Sequence, residues 1–287
     1  MKRVILTGDD FGLALPVNEA IEEAHSDGVL TAASLMVGGP AAADAVARAR
    51  RLPSLRVGLH LVLVEGRPVL PPAAVPDLVD ARGEFETRLF RAGVRFFFLP
   101  RVRRQLEAEI RAQLEAFRAT GLPLDHVNAH NHMHLHPTVL GLLLKTGGDF
   151  GLRAVRVPQE PALASWRAAG SGLLPRFAWA AFLWPWAALL KRRLRRAGIC
   201  YNEHVFGRND SGSMDTRLLL RLVRELPDGV SELYFHPATR RCPEIDRYMP
   251  GYRHEAELQA LRSVEVRQAL ETAGAERIGF AGLVAGG

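Results

Sequence analysis

Cysteine is nearly absent from this chain of 287 residues. Cys200 and Cys242 are too few for a disulfide framework and lack metal-ligand spacing. A disulfide-stapled scaffold is therefore excluded, and a cytoplasmic protein with reduced thiols is expected. The apolar run Val4 to Leu6 in "MKRVILTGDD" ends in two aspartates, far short of a signal-peptide core, so no secretion signal is expected. Internal repeats and low-complexity tracts are lacking as well. The apolar stretch "FAWAAFLWPWAALL", Phe177 to Leu190, is shorter than the roughly 20 residues a bilayer span needs and is interrupted by Pro185. Acidic residues are outnumbered, giving a net charge of +6. The excess is concentrated in "KRRLRR", Lys191 to Arg196, rather than spread as over a nucleic-acid-binding face, and no nucleic-acid partner is expected. A tryptophan-rich apolar segment followed by cations suits a membrane interface; a buried helix with a solvated basic end fits the same residues.

What is present is an ordinary globular composition, 48% hydrophobic and 24% charged, in a length near the upper size of one hydrophobic core. Strand-like runs at 3–8, 33–38, 56–63, 124–130, 153–158, 230–236 and 277–284 alternate with helical segments at 16–28, 101–121, 137–148, 215–226 and 255–274. This rhythm predicts an α/β fold, a mainly parallel sheet of seven strands with helices outside it, either a barrel or a doubly wound sheet. In both, chemistry gathers at the carboxyl ends of the strands. The region 159–212 lacks the rhythm and reads as an inserted helical segment in one domain spanning 1–287.

Polar residues fall at those strand ends. Asp9 and Asp10 follow "VILTG"; consecutive residues of an extended chain point to opposite faces, so one could ligate a metal while the other accepts a proton from water. A helix-capping pair would look the same. His60 stands in "VGLHLVL", where a neutral metal ligand is cheaper than a charged imidazole, though a satisfied core histidine also fits. "HVNAHNHMHLHP", 126–137, carries five histidines at even positions. As a strand it would put His126, Asn128, His130, His132, His134 and His136 on one face; as a helix it would pair His130 with His134 and His132 with His136. His236 closes "ELYFH". One carboxylate and two histidines would leave open positions on a divalent ion, as a metal hydrolase requires.

"TGDDFG", "VGLHLVL", "HVNAHNHMHLHP" and "FHP", in that order, resemble the YdjC-like carbohydrate deacetylases, and the four motifs span residues 7 to 237. The resemblance implies a (β/α)-barrel-like fold and removal of acetyl groups from N-acetylated sugars with one divalent metal, zinc, magnesium, manganese or cobalt. It implies Asp10, His60 and His130 as metal ligands, Asp9 as the base and His236 as the acid or oxyanion-stabilising partner. Asn128, His134 and Arg156 are expected to contact substrate. The family mostly has aspartate where this chain has Asn128. That asparagine, with "NEHVFG" at 202–207 and "DSGSM" at 210–214, resembles the branch associated with hopanoid biosynthesis, which implies an N-acetylglucosaminyl hopanoid lipid as substrate. A glycolipid would give residues 177–196 a reason to meet the inner face of a membrane. Two other readings fit parts of the pattern: a metal phosphoesterase on a similar barrel, and a non-catalytic binder of membrane or nucleic acid using "KRRLRR".

Overall fold

A computed structural model describes residues 1–284. Seven strands, β1 (Lys2–Phe11), β2 (Ala32–Leu35), β3 (Arg56–Leu61), β4 (Val127–Ala129), β5 (His204–Phe206), β6 (Gly229–Phe235) and β7 (Ala275–Arg277), form one curled parallel sheet in the order β4-β3-β2-β1-β6-β5. Strand β7 pairs with the first residues of β1, alongside β2. Around the sheet lie α1 (Leu15–Ser26), α2 (Ala42–Arg51), α3 (Leu89–Phe98), α4 (Pro100–Ala119), α5 (Pro137–Gly147), α6 (Ala162–Ala169), α7 (Leu173–Arg196), α8 (Thr216–Glu225), α9 (Pro243–Tyr248), α10 (His254–Arg262), α11 (Val264–Thr272) and α12 (Ala281–Val284). The α/β fold with a mainly parallel seven-stranded sheet and helices outside it, expected from the alternation, is found; of the barrel and the doubly wound sheet it is nearer the barrel, curled into a half-barrel. Helix α1 buries Val17, Ala20, Ile21 and Ala24, and α4 buries Val102, Leu106, Ile110, Leu114 and Phe117, the apolar faces their periodicities predict.

Several expected elements differ, each for a local reason. The run 153–158 is not a regular strand. Val155 bridges Val127 and Ala154 bridges Cys200, after which the Asn202 side chain takes over the ladder, accepting from Val157 N at 2.7 Å and donating to Val157 O at 2.9 Å. These bridges span the gap between β4 and the β5 side of the sheet. The segment 159–212 is not wholly an insertion, since it supplies β5, which pairs with β6. The run 277–284 turns out of the sheet after Arg277, because Asp125 accepts the backbone N–H groups of Phe280 and Ala281 and starts α12. The long helix expected over 255–274 breaks at Ser263, whose hydroxyl caps α11 by accepting from Val266 N. Helix α7 runs through Pro185 without ending.

The concave side of the sheet is unusually polar. With a period of two, Thr7 and Asp9 of β1, Ser34 of β2, His60 of β3, Asn128 of β4 and Glu232 of β6 meet there, all buried. His126, just before β4, joins them by bonding Ser34 and stacking on Phe280 at 4.4 Å between ring centroids. Gly58 makes room for it: a Cβ there would lie 2.5 Å from the His126 ring and from its carbonyl oxygen.

Candidate metal centre

Strand β1 loses its regular register between Gly8 and Phe11, and Asp10 takes a left-handed conformation with φ 62°. A non-glycine residue pays of order 1 kcal/mol or more for that geometry, which persists where surrounding structure holds it. The consequence is that Asp9 and Asp10 do not simply point to opposite faces as in a flat strand. Asp10 turns toward His60 and His130, while Asp9 faces the barrel interior.

Ligand atoms of Asp10, His60 and His130 lie within 4.8 Å of one another, the one such group of three among the described residues. Asp10 Oδ1 stands 3.2 Å from His60 Nε2 and 3.5 Å from His130 Nδ1, and the two imidazole nitrogens are 3.4 Å apart. Both Asp10 oxygens are buried with no hydrogen-bond donor. The outer hydrogen bonds explain why. The Asn128 amide nitrogen donates to Ser34 Oγ at 2.8 Å and Asp9 Oδ1 at 3.2 Å, so its oxygen faces His60 Nδ1, which donates to it at 2.6 Å. The proton of His60 is thereby placed on Nδ1, and bare Nε2 is left facing Asp10. His130 in turn presents Nε2 to Glu65 at 3.6 Å and Nδ1 to Asp10.

Electron-rich atoms thus converge on one point, an arrangement that a divalent cation fits. The titration of the group agrees. Burial works against both charges, yet His130 holds the Asp10 carboxyl well below its usual range, and Asp10 with Glu65 raises His130 to about 9. The pocket favours a cation, and in metal-free protein a proton takes that place.

Behind the triad, Arg156 is fully buried and donates to Asp9 Oδ2 at 2.5 Å and Oδ1 at 3.0 Å. It also donates to Glu232 at 2.9 and 2.7 Å, and its guanidinium lies 4.7 Å from the Tyr234 ring centroid. Burial would raise the Asp9 carboxyl, but Arg156 holds it far below the ordinary value, so Asp9 is ionised.

The cavity in front of the triad, about 220 Å³, is lined by Asp9, His60, His130, His132, Tyr234 and His236, among others. Sequence reasoning placed Asp9, Asp10, His60, His130 and His236 at one site, and the fold brings these five together. The three expected substrate contacts lie elsewhere. Asn128 is the buried hub just described; Arg156 sits behind Asp9; His134 is buried with Nε2 on the Arg156 carbonyl oxygen at 2.9 Å, and burial lowers it to about 3. None of the three lines the cavity.

The histidine stretch is neither a full strand nor an α-helix. After β4 it forms a short 3-10 turn in which Asn131 and His132 are left-handed, with φ 51° and 53°, so the even-numbered rings fan out. His132 Nε2 shares a hydrogen bond with the Tyr234 hydroxyl at 3.2 Å, and His136 caps α5 through Nδ1. Burial lowers both His132 and His236 from the ordinary value. Glu65, Arg208, Tyr234 and Tyr252 also line the cavity, without a motif in the sequence that marks them. Tyr234 was findable, because in a strand ending at His236 it shares that histidine's face. Glu65 was not: it lies in a loop whose path is set by buried Glu109 and Gln113 of α4, which accept Val69, Leu70 and Val62 N–H groups.

Comparison with known proteins gives a consistent picture. A family model described as YdjC-like protein matches residues 3–272. A carbohydrate deacetylase of Brevibacillus brevis is 30% identical over 271 residues, 93% of each chain. A carbohydrate deacetylase of Geobacillus stearothermophilus is 43% identical over 136 residues, 47% of this chain and 51% of that protein. A solved structure from Enterococcus faecalis V583, provisionally described as a cellobiose-phosphate cleavage protein, matches with a TM-score of 0.75 and 25% identity over 98% of both chains.

Proposed function

The chain belongs to the YdjC-like protein family, and from that premise we propose that it is a metal-dependent hydrolase. It removes the N-acetyl group from an N-acetylated amino sugar, giving acetate and a free amine. The observation that carries this reading is the convergence of Asp10, His60 and His130 beside the ionised Asp9 on one cavity. The deacetylase relatives support the reaction class. One carboxylate and two imidazoles suit zinc, manganese or cobalt better than magnesium.

Bound by Asp10, His60 and His130, a divalent ion would supply Lewis acidity toward the amide carbonyl and acidify water. The chain's own groups account for the rest. Asn128 and Glu65 fix the ring orientations of His60 and His130. Asp9 accepts the proton of the attacking water, and Arg156 fixes its carboxylate toward the cavity. A carboxylate held this acidic is a poor resting place for a proton, so the proton moves on. His236, neutral at rest because it is buried, takes it up and delivers it to the departing amine nitrogen. Atoms balance: water's oxygen goes to acetate and its protons to the products. Arg156 is on this reading a positioning residue, not a substrate contact.

The finer substrate we propose is a lipid-linked sugar, an N-acetylglucosaminyl hopanoid, with residues 177–196 at a membrane surface. The exposure of Trp179, Trp184 and Trp186 on α7 supports an apolar partner. The deciding measurement is acetate release from a GlcNAc-bearing hopanoid and from soluble N-acetylated sugars by chelated protein, before and after adding back single divalent metals. Metal-restored release from either substrate class supports the chemistry, and release from the lipid supports the finer substrate. Metal bound in unit ratio with no acetate from any substrate would overturn it.

A further inference from the structure

Thirteen of the seventeen large apolar side chains that are exposed among the described residues lie on two helices, α3 with Leu99 and α7. Single exposed apolar residues are ordinary, but a concentration of this kind marks an interaction site. Phe90 is 87% exposed and Phe98 67%; across from them Phe182 is 64% and Trp179 52% exposed. Between the helices runs a groove of about 620 Å³, walled by Phe90, Val94 and Phe98 on one side and Trp179, Phe182 and Trp186 on the other.

The floor of this groove includes Asn131, His132 and Arg208, and the same three residues line the catalytic cavity. Groove and cavity therefore adjoin, separated only by the Asn131–His132 turn and Arg208. Arg208 stands at the junction, with its Nε buried and without a hydrogen-bond acceptor among the described residues. The groove is larger than the cavity, about 620 against 220 Å³, so most of a ligand filling both would be apolar. A second extension leaves the cavity past His130 and Glu65, lined by Leu13, Met36, Val62 and Val69 together with Glu84, which pairs with Arg67 and Arg247.

Helix α7 is anchored by buried Ala187, Leu190 and Leu194 and, in its first half, by Arg176, which pairs with Asp210, while Trp179, Phe182, Trp184 and Trp186 stay exposed. We infer that α3 and α7 bind the apolar aglycone of a glycolipid substrate and that Asn131, His132 and Arg208 form the passage by which its sugar reaches the metal triad. The inference rests on the proposed deacetylase reading for the identity of the sugar, and the aglycone groove is its own addition.

The test compares dodecyl N-acetyl-β-glucosaminide, kept below its micelle concentration, with the methyl glycoside, using the metal-loaded full chain and the variant Phe90→Ser/Phe182→Ser. Both positions are highly exposed, so the variant keeps the core. The expected result is a kcat/KM at least tenfold higher for the dodecyl than the methyl glycoside, lost in the variant while methyl glycoside turnover is unchanged. Equal kcat/KM for the two glycosides in the wild type, or an unchanged preference in the variant, overturns the inference. Tryptophan fluorescence gives a second readout independent of turnover. A saturable shift with the dodecyl glycoside that the variant loses, without acetate release, keeps the groove and rejects the deacetylase reading. Absence of the shift rejects the groove. Co-sedimentation with phosphatidylglycerol vesicles that the variant loses, with no glycoside preference, makes the surface a membrane anchor instead. A dimer that the variant dissociates, again with no glycoside preference, makes it a contact between copies.

Discussion

His130 turns one ring nitrogen to Asp10 and the other to Glu65, and on the proposed metal-hydrolase reading that position would couple metal binding to pH. Its proton, held with an affinity corresponding to about 9, must leave before the nitrogen can ligate. Metal affinity should therefore rise about tenfold per pH unit between pH 6 and 8, with one proton released per ion. Titration calorimetry in buffers of different ionisation enthalpy measures this, and a pH-independent affinity would show that His130 is not a ligand. The division of labour proposed for the two aspartates makes a second prediction. Asp9→Asn should retain one metal per chain while acetate release falls by about 10²- to 10⁴-fold, the usual worth of a general base. His130→Ala should lose metal and activity together. A fully active Asp9→Asn protein would remove Asp9 from the chemistry.

The helices show where local sequence decides stability and where it does not. Asp215 caps α8 by accepting from Leu218 N at 3.0 Å, and the sequence before "TRLLLRLVREL" shows the cap plainly. Replacing it with alanine should cost about 1 kcal/mol in urea unfolding, with the slope unchanged. Helix α7 is the opposite case. Leu173–Arg196 is long and apolar enough to cross a membrane by length and composition, yet Leu190 and Leu194 at its far end belong to the core. Pro185 inside it removes one backbone donor, at a cost of about 3 kcal/mol in an ordinary helix interior. Pro185→Ala should raise the thermal midpoint, and a fall would mean that the proline ring itself is needed for packing.

Arg156 ties the molecule together across its sheet, joining Asp9 on β1 to Glu232 on β6 from the irregular segment after β4. All three side chains are buried, so removing the cation leaves two carboxylates facing each other without water. Arg156→Met should cost about 3 to 5 kcal/mol. The sign with pH follows from proton uptake. In the wild type the Asp9 carboxyl is depressed, so its contribution is complete above its unfolded value of 3.8 and is lost as pH falls below it. In the variant both carboxyls would be raised, the folded state would bind more protons than the unfolded one, and stability would increase as pH falls from 8 toward 5. Denaturation curves at those two pH values distinguish the cases; a variant as stable as wild type at pH 8 would mean that the pair is solvated.

Much of this was legible in the chain itself. Alternating strand and helix patterns identified a mainly parallel α/β sheet with helices outside it, because apolar periodicity reports which face of each element is buried. Its curl into a half-barrel stays open in the sequence, between barrel and doubly wound sheet. Strand-end polar residues named Asp9, Asp10, His60, His130 and His236, because a parallel sheet delivers carboxyl ends to one rim. Tertiary structure alone decided which ring nitrogens face inward, since that depends on Asn128 and Glu65 reaching His60 and His130 across 68 and 65 residues of sequence. It also moved His134 and Arg156 from substrate to scaffold, because only packing reveals that a polar side chain is buried on a backbone carbonyl or a carboxylate. The left-handed turns at Asp10, Asn131 and His132 were likewise invisible, being imposed by distant contacts against local preference. The pairing of α3 with α7 over one groove was decided the same way: each apolar stretch can be read from sequence, but their meeting at the mouth of the site cannot.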